Sequence, residues 1–177
     1  MSIVELVSLV TPPSRPIGVG SPQGWLDVEK RLGGRLPSDF KQYIDTYGQG
    51  EILDLAFVES PFAWDAGDRW FSERSRILEY FRGALDAYGF GLQAWPEKGG
   101  ILPWGSDSDG NYLSWKTSDS PEDWTTVVIF DRFGGYTSIP LSMTGFLCGV
   151  ITGRVEVEWC CNFDPNKPDF VADWRFR

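Results

Sequence analysis

The chain has 177 residues and a formal net charge of -9, from 25 acidic and 16 basic side chains, with 42% hydrophobic and 15% aromatic residues and no histidine. That length suits one domain around a single core, and the apolar and aromatic content argues against a disordered chain. The negative charge argues against direct nucleic-acid binding, which draws its affinity from Lys and Arg on phosphates, and favours encounter with a basic partner.

The opening residues Met1 to Val10 carry Glu5 and lack a basic leader, and no stretch is apolar for the roughly 20 residues that a membrane-spanning helix needs. The expectation is a cytoplasmic protein. Ser21 and Pro22 read as the cap and first turn of a helix carrying Trp25, Val28, Glu29 and Leu32 and stopped by Gly33 and Gly34. A second helix opens at Leu36-Pro37-Ser38-Asp39, places Phe40, Tyr43, Ile44 and Tyr47 on one face and stops at Gly48. Glu51 to Val58 reads as one strand with Ile52, Asp54 and Ala56 facing away from Leu53, Leu55 and Phe57. Residues 59 to 70 read as an irregular loop. Ser72 then caps a helix with Ile77, Phe81, Ala84, Leu85 and Tyr88 as its apolar stripe.

From Ile101 the pattern turns to strands, at Ile101 to Trp104, Tyr112 to Lys116, Thr125 to Asp131 and Tyr136 to Pro140, with Asp, Gly and Ser between them. Four such strands in succession predict an antiparallel meander. Ser142 caps a last helix with Met143, Phe146, Leu147, Val150 and Ile151 inward, and a further strand is expected from Val155 through Cys160. Helices, then a meander, then a helix make an α+β domain, because no repeated strand-helix-strand crossover is visible.

The residue types narrow the chemistry. Without histidine there is no Ser-His-Asp or Cys-His nucleophile, no His-ligated zinc and not the commonest general base. Cys148 falls near the apolar stripe of a helix and reads as core packing. Cys160 and Cys161 lack metal or redox spacing, so free thiols in a reducing compartment are expected. Asp107-Ser-Asp-Gly-Asn111 has the oxygen ligands of a calcium loop but not its register: Gly110 comes too early and Ser118 stands where the loop's Glu belongs. It reads as a hairpin turn. Glu122, Asp123 and Asp131 are the acids a glycosidase reading would use, yet their spacing does not set them apart from turn residues. No catalytic residue, cofactor or metal site is expected.

Two stretches fit a protein partner better than a substrate. In residues 107 to 123 the acids Asp107, Asp109, Asp119, Glu122 and Asp123 face one cation, Lys116. Trp64, Asp65, Asp68 and Trp70 set tryptophan beside acid, a composition common at interface hot spots.

Trp25-Leu-Asp-Val-Glu-Lys-Arg-Leu-Gly33, followed by Leu36-Pro-Ser-Asp-Phe-Lys-Gln-Tyr-Ile44 and Tyr47-Gly48, resembles the SUKH superfamily, the Smi/Knr-like domains. Trp25, Glu29, Leu36, Pro37 and Gly48 match its signature. Ile101 to Trp115 resembles its strand-turn-strand and Ser142 to Leu147 its closing helix, while Gly145 and residues 59 to 98 depart from it. The resemblance implies a mostly antiparallel mixed sheet flanked by helices in a single domain over residues 1 to 177, with a family-variable insertion at 59 to 98. It also implies a non-catalytic immunity protein that neutralises a cognate bacterial toxin, which the acidity of this chain suggests is a basic nuclease. The alternative is a regulatory or scaffold module.

Overall fold

A computed structural model describes residues 3 to 63, 68 to 130, 134 to 157, 159 and 169 to 172. In chain order it contains α1 (Ile3–Leu9), α2 (Pro22–Leu32), α3 (Ser38–Tyr47), β1 (Gly50–Ile52), β2 (Ala56–Val58), α4 (Asp68–Ala87), β3 (Ile101–Ser106), β4 (Tyr112–Lys116), a 3-10 turn at Pro121–Asp123, β5 (Thr125–Phe130), β6 (Gly135–Ile139), α5 (Met143–Ile151) and β7 (Phe170–Ala172). The seven strands form one sheet in the order β6-β5-β4-β3-β2-β1-β7, every neighbouring pair antiparallel. This is an α+β domain.

Helix ends follow their chemistry. The Ser21 hydroxyl accepts from the Gly24 N–H at 3.0 Å, and Gly33 closes α2 in the left-handed region at φ 80°. The Ser142 hydroxyl accepts from Gly145 N–H at the start of α5. Phe40, Tyr43, Ile44 and Tyr47 of α3 are all fully buried, as their spacing predicts. They enter the core on the first face of the sheet, where Phe40 meets Trp115 edge to face at 5.0 Å and Phe146 of α5 meets Trp104 at 6.4 Å. A register shift between Pro103 and Gly105 leaves Trp104 as the extra residue of a bulge. The second face carries α4, whose Phe81 stands on Tyr112 at 5.2 Å.

Three expectations are corrected, and one helix is added. Glu51 to Val58 is two strands: Leu53 and Asp54 both take positive φ, 64° and 52°, and a Leu55 N–H to Ile52 C=O bond of 3.0 Å closes a tight turn between β1 and β2. Neither residue is the Asn or Gly such a turn favours, so local propensity concealed it. The third expected helix begins at Asp68, before Ser72, and its buried stripe is Trp70, Arg74, Leu78, Phe81 and Leu85. An arginine in that stripe disguised its period. The opening residues, for which no element was expected, add α1, with Leu6 fully buried. Val155 to Val157 are not in a strand; Phe170–Ala172 are, and Glu158, Cys160, Cys161 and Asp131 lie outside the described residues.

Candidate protein-binding surface

The acids expected to form one patch at 107 to 123 lie at opposite ends of β4. At one end Asp107 is 8% exposed, and its carboxylate accepts from the backbone N–H of Asp109 and Asn111 and from Asn111 Nδ2 at 2.8 to 3.0 Å. Gly110 completes the turn at φ 86°. Asp107 therefore holds the hairpin in shape, and Asp109 is the more open acid there. At the other end Asp119 pairs with Lys98 at 3.0 Å and Asp123 is exposed. Glu122 accepts from the Ser38 N–H and, at 2.6 Å, from the Ser38 hydroxyl. Pro37 offers α3 no side-chain cap, so an acid far along the chain supplies one.

The second expected patch is half structural. Asp68 is exposed and pairs with Arg31 at 2.7 Å. Trp70, expected at the surface, is 2% exposed: its indole donates to the Glu59 carbonyl at 3.3 Å and its ring lies under the Arg74 guanidinium, which is ion-paired with Glu59. Burial of this large ring anchors the start of α4. Trp64 and Asp65 lie outside the described residues.

Glu29 links α2 to α3. Its carboxylate accepts from the Leu36 N–H at 2.9 Å and from Lys41 Nζ at 2.8 Å. Burial works to raise its pKa, but these two bonds and the charges of Lys41 and Arg35 together outweigh burial and hold the carboxyl below its ordinary value. Trp25 packs on Phe40 and Phe62, and its indole donates to Asp45. These two residues organise the helical layer, as their positions on the first apolar stripe suggest.

Residues 23 to 147 match the SUKH_6 family model, described as SMI1-KNR4 cell-wall. The chain belongs to the SUKH family. No curated protein and no solved structure matches it. SUKH domains are in general non-catalytic immunity and binding domains, so the features to weigh in this one are surfaces more than clefts.

Two grooves mark the flanks of this SUKH domain. One, of about 600 Å³, lies between the end of α4 and Lys116, with Asp86, Gln93 and Lys98 in its wall. The other, of about 370 Å³, is bounded by Trp95, Trp124, Arg35 and Asp119. Each has one carboxylate in its wall, and a third groove of about 330 Å³ beside the first shares Asp86 with it and adds Glu97 and Arg82. Among the described residues no group of three His, Cys, Asp or Glu is placed to hold a metal ion, and no helix is long and apolar enough to cross a membrane. Cys148 is fully buried, and burial, reinforced by Glu5, pushes its thiol up to about 11, which leaves it a packing residue.

Reasoning from sequence missed Glu51. Once the tight turn at Leu53 and Asp54 is in place, register sets Glu51 directly between Phe57 and Val171 on the second face of the sheet. Partial burial, with the charges of Asp54 and Asp169 added, raises the Glu51 carboxyl above its ordinary value. No motif marks it, because the signal lies in a pairing between distant parts of the chain.

Proposed function

We propose that this SUKH domain is an immunity protein of the cytoplasm that binds a basic bacterial toxin, a nuclease above all, and neutralises it by stoichiometric occlusion. The supporting observation is membership of a binding family in a chain of net charge -9. Its acids are spread over the surface: exposed Asp54 and half-buried Asp109 at one end of the sheet, exposed Asp119 and Asp123 at the other. Such a field steers a cationic partner into encounter, while apolar and aromatic side chains fix the complex after contact. The insertion-like segment 59 to 98, which contains α4, is where specificity for one toxin resides in this reading.

The test is co-expression with the toxin domain encoded beside the gene, scored by growth rescue, together with binding across a salt series. Rescue with 1:1 binding that weakens as salt rises is expected. A folded protein that gives neither rescue nor binding sinks the reading. The description of the family model, SMI1-KNR4 cell-wall, then favours the second reading, a regulatory or scaffold module. Asp109→Lys is the charge reversal to use, because Asp107→Lys would also dismantle the turn; it should slow association and flatten its salt dependence.

A further inference from the structure

The loop that leads from the α4 segment into β3 is a rigid ridge. The Ile101 N–H donates to the Gln93 carbonyl at 2.7 Å and the Trp95 N–H to the Ile101 carbonyl at 3.1 Å, and the N–H groups of Glu97 and Gly100 close tighter turns inside it at 3.2 and 2.8 Å. Trp95 is clamped at its base. Its indole donates to the Leu32 carbonyl, its ring lies 5.8 Å from that of Trp124, and a Cβ on Gly34 would come within 2.7 Å of it. The tip is in solvent, with Pro96, Glu97 and Lys98 all exposed. A projection fixed in this way has little freedom left to lose on binding.

Grooves adjoin this ridge. Trp95 lines the one of about 370 Å³, whereas Gln93 lines both the groove of about 600 Å³ and that of about 330 Å³, which also share Leu85, Asp86 and Leu92 and so run together. Their charges are not alike. Lys116 lines only the wider part, together with Lys98, which is held by Asp119. Glu97 lines only the narrower part, where it shares the wall with Asp86 and with the apolar Phe81, Leu85 and Leu92. Asp86 and Glu97 are exposed, and among the described residues neither carboxylate has a hydrogen bond or an ion pair. The one cation of the narrower part, Arg82, donates to the Trp95 carbonyl. Two unpaired acids beside apolar side chains suit a side chain with a long apolar stem and a cationic head.

We infer that the partner docks on the ridge at residues 93 to 99, and that a long basic side chain of the partner enters the groove lined by Asp86 and Glu97. This rests on the reading above that the partner is a basic protein, and it names the part of the 59 to 98 segment that makes the contact. Leu85 and Leu92 take the stem of the incoming side chain, and the two carboxylates take its head. Lys116, in the wider part, repels a second cation there and so fixes which way the partner lies.

The test uses the full chain and the adjacent toxin domain, with binding kinetics and hydrogen exchange as readouts. Glu97→Lys reverses a charge of the groove, and Gln93→Trp fills the groove at an exposed position without changing charge. Each is expected to weaken binding by about tenfold or more, chiefly through faster dissociation. Asp109→Lys, which lies away from the ridge, should stay within about threefold and act through association alone. The N–H groups of Gly91, Leu92, Gln93, Lys98 and Gly99 make no hydrogen bond among the described residues, so they exchange fast in the free protein and should slow when toxin is added. Toxin binding that Glu97→Lys and Gln93→Trp both leave within threefold, or that leaves those five amides fast, overturns the surface and keeps the immunity reading. Slow exchange of the same amides in the free protein also overturns it, since another part of the chain would then cover the ridge. Absence of any binding by the folded wild type removes the immunity reading and the surface with it.

Discussion

Glu51 shows how one carboxylate can be worth less to the fold ionised than protonated. Its neighbours are Phe57 and Val171 in the sheet and the negative Asp54 and Asp169 at the rim, and its pKa is raised by burial first and by those charges second. A raised acid holds its proton to higher pH in the folded chain than in the unfolded one. Its penalty is absent below the ordinary glutamate value of about 4.3 and is fully present once the pH has risen through the folded value. Glu51→Gln is neutral throughout. It should therefore melt at a higher temperature than the wild type at neutral pH, and the gap should close as the pH falls to about 4; a constant or reversed gap would refute the environment described. Glu29 has the opposite sign, since its lowered pKa contributes stability above the ordinary range that is lost as the pH falls through the folded value.

Among the elements, the helices were most legible. Ser21, Pro22 and Gly33 bound α2, and the four buried aromatic and aliphatic residues of α3 lie where helical periodicity puts them. The meander from β3 to β6 was equally plain, because each strand pairs with its neighbour in sequence across a turn rich in Asp and Gly. Legibility failed where the deciding contact is distant. β1 and β2 look like one strand because the turn between them uses Leu53 and Asp54, and β7 is recognisable only through β1. The structural roles within the candidate surface were hidden for the same reason: Trp70, Asp107 and Glu122 have the composition of an interface, and each also holds local structure, a helix start, a hairpin and a helix cap in turn. Glu122→Ala should accordingly lower stability by about 1 kcal/mol without any partner present, read as a drop in denaturant midpoint with an unchanged slope. A variant as stable as the wild type would refute the capping role of Glu122.

For the whole molecule, a net charge of -9 acts on both folding and association. The compact state gathers acids that the unfolded chain keeps further apart, so self-repulsion opposes folding at low ionic strength. Raising sodium chloride from about 0.02 M to about 0.2 M shortens the Debye length to the distance between neighbouring surface charges, and should raise the melting temperature of the free protein. The same change should weaken the complex with a basic partner, so the two salt responses run in opposite directions. A melting temperature that falls over this range would mean that the ion pairs, such as Lys98 with Asp119, outweigh the repulsion.

The pairing of β7 with β1 joins the last described strand to the first, and so closes the longest loop in the sheet. Loop closure grows costlier with length, and the meander strands are sequence neighbours, so in order of assembly this edge follows them. The strip that sets Val171 beside Glu51 is then among the last parts of the molecule to come into being.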